Sequence, residues 1–315
     1  MHNKIPEIDL VYLWVDGNDP TWIARKQEAL MKRASGIKVN NNGRYVDNDE
    51  LKYSLRSVEK HLPWIRKIFI ATNHQQPAWL NINHPKIQLV NQDEFLPPEA
   101  IPCFNSVVIE YFIYRIPGLS DYFLYANDDM FVHADLQPSY FFAEDGFPVV
   151  RLQYQFMQRA EIKLKKLFGI RINNYRKSIE NALELIDKKY RMYYPGVSHH
   201  NIDAFRKDDY SAVIEDVFKD DLFPVLSNQF RDSSDVQRVL FQYHVLAIKH
   251  GHLKFVNRRE SCRIRVQNPD FMGCLKRFNP DLFCLNDNER VTDDDRARVR
   301  PFLETLYPDK SSFEK

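Results

Sequence analysis

Short apolar runs alternate with amphipathic segments over the first 130 residues of the chain. Runs rich in β-branched and aromatic residues predict four buried strands, over 8–15, 67–71, 86–90 and 121–126. Apolar residues at helical spacing, together with capping and turn residues, predict three helices between them, over 20–32, 49–61 and 104–116. This alternation predicts an α/β fold, a mainly parallel sheet with helices on both faces. In such sheets ligands bind beyond the carboxyl ends of the strands.

The pattern changes at Arg151. Residues 151–191 contain 11 Lys and Arg against 4 Asp and Glu, although the whole chain has 44 and 43. We therefore divide the chain into an α/β core at 1–150, a basic helical insertion at 151–195 and the rest of the same catalytic unit at 196–315. Two further helices are predicted, over 232–250 with Asp232 as its cap and over 291–306.

The basic segment has three interpretations. The first is a solvated helical face, the second is a surface that holds an anionic polymer, and the third is a contact with an anionic membrane surface. The near-neutral charge of the whole chain argues against a general nucleic-acid binder, so we expect no nucleic-acid partner.

Composition excludes some kinds of site. The chain has only nine glycines, and none has the spacing of a Walker A loop or of G-x-G-x-x-G, which excludes a glycine-rich backbone cradle for phosphate. The four cysteines form no C-x-x-C pair, and the zinc set of Cys262, Cys274 and Cys284 with His250 or His252 has no known ligand spacing. We expect reduced thiols in a reducing compartment.

The sequence has no segment that resembles a signal peptide, and its apolar stretches are too short to span a bilayer. We expect a cytoplasmic protein, with peripheral contact at the inner face of the cell membrane as an open alternative.

Acidic residues follow two of the predicted strands. Asp16 follows the first strand, and Asn127, Asp128 and Asp129 follow the fourth. Carboxylates at a strand end can hold a divalent ion that bridges pyrophosphate oxygens, as nucleotide-sugar transferases do with an Asp-x-Asp arrangement. The alternative is a solvated turn, in which Asn and Asp are common.

Three other positions have side chains suited to phosphate chemistry. His199 and His200 follow a Tyr-Tyr-Pro-Gly turn and could supply a general base, or they are surface histidines. Arg231 precedes a predicted helix and could bind phosphate, or it is a surface charge beside a cap. Asn286 and Asp287 precede the last helix and could bind metal, or they form a capped loop.

Taken together, four blocks resemble the Stealth family of sugar-phosphate transferases. That family includes bacterial capsule and surface-polysaccharide enzymes and the lysosomal-enzyme N-acetylglucosamine-1-phosphotransferase. The blocks are IDLVYLWVDGNDPTW at 8–22, a long block from RYVDNDELKYS at 44 to SDYFLYANDDMFV at 132, the looser pair SHHNIDAFRKD and NQFRDSSDVQ, and CLNDN at 284–288.

The resemblance implies a GT-A-like α/β fold whose 1–150 core binds a nucleotide sugar. It implies transfer of a hexose 1-phosphate from a donor, UDP-linked in our prediction, to a glycan hydroxyl in capsule or surface polysaccharide synthesis. The product is a phosphodiester, and a nucleoside monophosphate leaves. An anionic acceptor glycan would give the basic segment at 151–191 a use.

The resemblance also implies site residues, with Mg²⁺ or Mn²⁺ as the cofactor. The expected catalytic residues are Asp16, Asp128, His199 or His200, and Arg231. The expected substrate-binding residues are Asn127, Arg56, Asn73 and Asn105. The expected metal ligands are Asp129, Asn286 and Asp287.

Two alternative functions stay open. One is a GT-A glycosyltransferase that moves only the sugar, and the other is a non-catalytic carbohydrate-binding subunit. The nucleotide product separates the first from the Stealth reaction, because transfer of the sugar alone releases a nucleoside diphosphate.

Overall fold

The computed structural model of the protein describes residues 7–32, 48–155, 164, 167–170, 172–288 and 290–315. Its strands, in chain order, are β1 Ile8–Leu13, β2 Ile68–Thr72, β3 Ile87–Asn91, β4 Tyr122–Asn127, β5 Met130–Val132, β6 Val149–Tyr154, β7 Gly196–Ser198, β8 Asp203–Arg206, β9 His252–Phe255, β10 Ser261–Arg265 and β11 Leu282–Asn286. Its α-helices are α1 Pro20–Lys32, α2 Glu50–His61, α3 Ser106–Tyr111, α4 Pro138–Phe141, α5 Asn174–Tyr190, α6 Lys207–Ala212, α7 Lys219–Leu222, α8 Val239–Ala247, α9 Phe271–Phe278, α10 Asp293–Ala297 and α11 Val299–Leu306.

A five-stranded sheet forms the centre of the molecule, in the order β3-β2-β1-β4-β8. The first four strands are parallel, and β8 runs antiparallel to β4. The predicted α/β fold and mainly parallel sheet are therefore confirmed. Two three-stranded sheets, β10-β11-β5 and β7-β6-β9, complete the β structure of the described residues.

Both faces of the central sheet are buried, which explains why its strands are apolar along their whole length. On one face Leu10 and Tyr12 pack with Leu55 of α2 and with β5 and β11. On the other face Val11 packs with α3, α5 and α8. Leu10 and Val11 are neighbours in the strand, so their side chains point to opposite faces and pack in two different hydrophobic cores.

Three predicted helices have different bounds in the structure. The predicted helix 104–116 is the short α3 followed by a 3₁₀ turn at Ile113–Arg115. The predicted helix 291–306 is interrupted between α10 and α11, because Pro301 has no N–H to continue the hydrogen bonds of α10. The predicted helix 232–250 begins only at Val239, and the carboxylate of Asp232 accepts a hydrogen bond from the N–H of Ser234 in a turn instead of capping a helix.

The predicted basic insertion is joined to the core at both ends where it is described. Residues 151–154 belong to β6, and α5 buries Ile179, Ala182 and Ile186 in the core that contains α8. Residues 156–163, 165–166 and 171 lie outside the described residues, so the prediction for the middle of the segment stays a prediction. Within the described part of the chain, no helix combines the length and the apolar character needed to cross a lipid bilayer.

Candidate functional site

The carboxyl ends of the central strands bring several predicted site residues to one edge of the sheet. In the register of the sheet, Leu13 of β1 lies opposite Asn127 of β4, so Asp16 and the Asn127–Asp129 turn follow neighbouring strands. Asn73 follows β2, on the other side of β1. This is the edge at which α/β folds bind their ligands.

The second sheet brings β11 against the turn at Asp129. The chain turns at Asp128 and Asp129 and continues as β5, which pairs antiparallel with β11. The N–H of Leu285 donates to the carbonyl of Asp129 at 3.0 Å, so Asn286 at the end of β11 lies next to the acidic turn. Residues almost 160 positions apart in the chain thus meet at this edge.

Asp129 and His200 lie close together, and each has a buried polar atom without a hydrogen-bond partner among the described residues. The Oδ1 atom of Asp129 and the Nε2 atom of His200 are both buried, and neither has a hydrogen-bond partner among the described residues. His200 Nε2 lies 3.7 Å from Asp129 Oδ2, which is too long for a hydrogen bond. An unpaired buried polar atom is unfavourable, and a bound ligand or water between the two side chains would satisfy both atoms.

The backbone at His200 adds to this evidence. Its φ angle is 54°, in the left-handed region that few residues other than glycine adopt. Unfavourable backbone conformations of this kind persist where the surrounding structure fixes them, and they are frequent at functional sites.

His199 has a different environment, in which both ring nitrogens are hydrogen-bonded. Its Nδ1 lies 2.9 Å from the Ser261 hydroxyl, and its Nε2 lies 3.0 Å from Asp203 Oδ1. Asp203 also accepts hydrogen bonds from Arg238 at 2.7 Å and from Gln242 at 2.8 Å. Burial alone would raise the pKa of Asp203, but Arg238 and His199 outweigh it and keep that pKa below its usual value. His199 therefore belongs to a buried polar network.

Arg231 lies on a loop that Asn105 holds in place. The side-chain amide of Asn105 donates to the carbonyls of Asn228 and Phe230 and to the Asp235 carboxylate. The guanidinium of Arg231 donates to the Ser106 hydroxyl at 2.6 Å. The contacts of Asn105 thus position the loop, and its prediction as a substrate-binding residue stays a prediction.

Burial raises the pKa of the Tyr175 phenol in α5, and the positive charges of Arg263 and Arg231 act against that rise.

Asp16 and Asn73 are fixed by side chains that the sequence analysis did not identify. Gln75 accepts from the N–H of Asp16 at 3.0 Å and donates to its carbonyl at 2.9 Å. Arg25 of α1 donates to the carbonyl of Asn73 at 2.8 Å. Gln75 lies three residues after the end of β2, and this position near a strand end is the one feature of the sequence that could have pointed to it. Its role could not be predicted, because hydrogen bonds from a side chain to the backbone of another segment leave no pattern in the sequence.

Arg56 makes its contacts with the end of the chain. Its guanidinium forms a bidentate pair with Glu314, with both N–O distances at 2.7 Å, and donates to the Tyr307 carbonyl at 2.7 Å. These contacts join α2 to the C-terminal segment and do not bring Arg56 to the strand ends. Its prediction as a substrate-binding residue stays a prediction.

The predicted metal ligands fit a magnesium ion to different degrees. The buried, unpaired Oδ1 of Asp129 fits well, and Asn286 lies beside it. Asp287 instead forms an ion pair with Arg296, with N–O distances of 2.8 and 3.3 Å. The described residues contain no group of three His, Cys, Asp or Glu side chains placed to hold a metal. Magnesium needs only one or two carboxylates, because water and substrate phosphates complete its shell.

Comparison with known protein families gives three matches. Conserved region 1 of the Stealth proteins matches residues 6–34, conserved region 2 matches 44–150 and conserved region 4 matches 274–315. The first two matches contain the acidic residues at the ends of β1 and β4, and the third contains Asn286 and Asp287.

Two relatives align along nearly the whole chain. The capsular polysaccharide phosphotransferase SacB of Neisseria meningitidis serogroup A is 32% identical over 98% of this chain and 57% of its own length. The exopolysaccharide phosphotransferase CpsY of Mycobacterium tuberculosis (strain CDC 1551 / Oshkosh) is 34% identical over 98% of this chain and 58% of its own length. The chain therefore spans a little over half the length of these relatives.

Solved structures show weaker similarity. The galactosyltransferase LgtC, in complex with donor and acceptor sugar analogues, aligns over 96% of both chains with 13% identity and a TM-score of 0.47. An active-site mutant of LgtC gives a TM-score of 0.49. Since both TM-scores are below 0.5, the fold is assigned from the strand order of this chain alone.

Proposed function

The chain belongs to the Stealth protein family, and on that basis we propose that it transfers a hexose 1-phosphate from a nucleotide sugar to a glycan hydroxyl. The relatives named capsular and exopolysaccharide phosphotransferases support phosphotransfer in the synthesis of a surface polysaccharide. The observation that carries the proposal is the pair of buried, unpaired polar atoms on Asp129 and His200 at the carboxyl edge of the sheet.

The proposed reaction makes one bond and breaks one bond at the phosphorus that carries the sugar. The acceptor oxygen attacks this phosphorus, and the bond to the oxygen that bridges the two phosphates breaks. A nucleoside monophosphate leaves with the bridging oxygen, and the acceptor gains a sugar joined through a phosphodiester. Such transfers depend mainly on in-line positioning and on neutralisation of charge.

The acceptor proton needs a base, and His200 is our first candidate. Its Nε2 is buried and unpaired, so it is available to accept a proton from a bound hydroxyl. Asp128, in the same turn as Asp129, is the second candidate. His199 is excluded from this role in our proposal, because both of its nitrogens are already bonded.

Positive charge for the pyrophosphate would come from Arg231 and from a divalent ion. Arg231 is held by Ser106 beside the site, where its guanidinium can bind phosphate oxygens. Asp129 and Asn286 would hold Mg²⁺ or Mn²⁺. Asp287 would contribute only if its carboxylate bound the ion and Arg296 at the same time. The ion would neutralise the charge on the pyrophosphate oxygens. Asp16, whose backbone Gln75 holds, would orient the nucleotide.

The test is to identify the nucleotide that is released. The protein is incubated with Mg²⁺, a panel of UDP-sugars and a glycan acceptor, with and without EDTA, and the products are separated by chromatography. We expect UMP in the presence of Mg²⁺ and a phosphodiester in the glycan. Release of UDP would show a glycosyltransferase, and no metal-dependent turnover of any donor would favour a binding subunit.

Variants connect the reaction to the residues. We expect Asp128→Ala and Arg231→Ala to lose at least about 100-fold in turnover while they keep the parent's circular dichroism spectrum. Asp208→Asn is the matched control, since Asp208 is an exposed carboxylate on α6. Near-parent turnover in a folded Asp128→Ala or Arg231→Ala protein would remove that residue from the mechanism.

A further inference from the structure

A cavity of about 630 Å³ lies beside the candidate site, between β10 and the segments around it. Three arginines, Arg258, Arg263 and Arg265, line it, together with Gln267, Asn268 and Phe278. Its lining, as far as the chain is described, includes no Asp or Glu. Its size is in the range of ligand pockets, and its charge has one sign.

The strand pattern explains why the two arginines of β10 are exposed. Along β10, Cys262 and Ile264 are buried in the core beneath the second sheet, while Arg263 and Arg265 alternate with them and are exposed. Alternate residues of a strand point to opposite faces, so the two guanidinium groups share one face.

Among the described residues, no carboxylate compensates the positive charge of the cavity. In the described chain, no carboxylate lies within 4 Å of the guanidinium groups of Arg258, Arg263 or Arg265. Several other arginines of this protein are paired with carboxylates. Arg56, Arg238 and Arg296, for example, each bind at least one carboxylate. Three unpaired guanidinium groups around one cavity form a site suited to an anion with several oxygens.

The cavity adjoins the place where the reaction is proposed. Arg263 lies opposite Cys284 of β11, and Cys284 lies opposite Met130 of β5, directly after Asp129. Two strand spacings separate Arg263 from Met130, about 10 Å. His199 and Ser261 line the cavity as well, so it reaches the residue that precedes His200 in the chain.

We propose that this cavity binds the phosphodiester groups of the acceptor glycan next to the hydroxyl that reacts. The inference depends on the proposed function, since it assumes that the acceptor is a polymer of sugars joined by phosphodiesters. In this arrangement the guanidinium groups of Arg258, Arg263 and Arg265 contact the phosphodiester oxygens.

The donor is a poorer occupant of the cavity. Its pyrophosphate needs carboxylates that hold a divalent ion, and these lie in the turn at Asp129 rather than in the cavity lining. The arginines of β10 lie outside the predicted basic segment 151–191 in the chain, and Gln153 of that segment lines the same cavity.

Direct binding tests the inference without any turnover. The probe is a fluorescent tetramer of hexoses joined by phosphodiesters, compared with a neutral tetramer joined by glycosidic bonds and with a single-stranded oligonucleotide. For the phosphodiester tetramer, we expect Arg263→Gln and Arg265→Gln each to raise Kd about tenfold and the double variant to raise it more. Arg300→Gln, which changes an exposed arginine of α11 outside the cavity lining, is the matched control and should leave Kd unchanged.

Kinetics then separate this inference from the proposed function. In the double variant, we expect the KM for the phosphodiester acceptor to rise at least about tenfold, while the donor KM and kcat stay within about twofold of the parent. An unchanged acceptor KM, equal effects on the neutral tetramer, or equally tight and equally arginine-dependent binding of the oligonucleotide would each overturn the inference. If no UMP is released but the phosphodiester tetramer still binds through these arginines, the proposed reaction is wrong and the cavity remains a binding site for phosphodiesters.

Discussion

The adjacent histidines His199 and His200 show how one residue step separates a structural role from a chemical one. His199 points into a buried network with Ser261 and Asp203, and its hydrogen bonds occupy both nitrogens. His200 has a left-handed backbone that turns its ring toward Asp129, where Nε2 finds no partner among the described residues. The sequence shows two equivalent histidines, because neither the φ angle nor the direction of the ring can be read from it.

Substitution of each histidine should therefore have different consequences. His200→Asn keeps a residue that tolerates the left-handed conformation, so we expect a folded protein whose turnover falls at least about 100-fold. His199→Gln removes part of a buried network, so we expect its unfolding free energy to fall by about 1–3 kcal/mol. Turnover assays on both variants and urea unfolding followed by circular dichroism measure the two effects. A His200→Asn protein with parent-like turnover, or a His199→Gln protein with unchanged stability, would contradict the assignment.

The position of some predicted site residues can be inferred from the sequence, and the position of others cannot. Asp16, Asn127 and Asp129 follow apolar strands, and strand order in a parallel sheet brings such residues to one edge. Arg56 and Asn105 are equally polar, yet their partners are Glu314 and Asp235, more than 100 residues away in the chain. A contact over such a distance has no local pattern, so the sequence could not show what their side chains bind.

At the scale of elements, local patterns predicted the parallel sheet and missed the small sheets. The bounds of β1, β2, β3 and β4 agree with the predicted strands to within two residues, because each is a short apolar run with clear ends. The pairs β5–β11 and β6–β9 join segments that are far apart in sequence. Only tertiary packing defines such sheets, so the wall that carries Arg263 and Arg265 was not predicted.

The helix α8 is buried nearly all round, and it carries a titratable residue. Val239, Leu240, Phe241, Tyr243 and Val245 of this helix all belong to one core. His244 in the same helix is only 2% exposed, and its Nδ1 lies 2.8 Å from the Tyr190 hydroxyl. Burial lowers the pKa of His244 from 6.5 to about 4. Because His244 stays neutral in the folded protein at a pH where the unfolded chain protonates it, the stability of the fold should depend on pH.

The direction of this sensitivity follows from proton binding. Below pH 6.5 the unfolded chain protonates His244 while the folded protein does not, so the unfolding free energy falls as the pH falls toward 4. Between about pH 7 and pH 5 this histidine should account for about 2 kcal/mol of the loss. We expect that His244→Gln makes the difference in unfolding free energy between these two pH values smaller by that amount in urea titrations. The exposed His252→Gln is the control and should keep the parent's pH dependence, and equal behaviour of the two variants would show that His244 is not the cause.

At the scale of the whole molecule, the candidate site joins parts that the chain keeps separate. Asp16 and Asp129 follow strands of the central sheet, and Asn286 ends a strand of the second sheet. His200 lies on the connection from β7 to β8, which joins the third sheet to the central one. A ligand at this edge would contact all three sheets at once. Its binding free energy should therefore add to the stability of the whole fold rather than to one segment.

Thermal unfolding with nucleotide and metal tests this coupling. A ligand present at about 100 times its Kd stabilises the folded state by about 2.7 kcal/mol, which raises the Tm by several degrees. We expect UDP and Mg²⁺ together to raise the Tm by more than the sum of the increases that each causes alone, since the ion would join Asp129 to the phosphates. In Asp129→Asn the increment that requires Mg²⁺ should disappear, whereas Asp208→Asn should keep it. An Asp129→Asn protein that keeps the full Mg²⁺-dependent increment would show that the nucleotide and its ion bind elsewhere on the molecule.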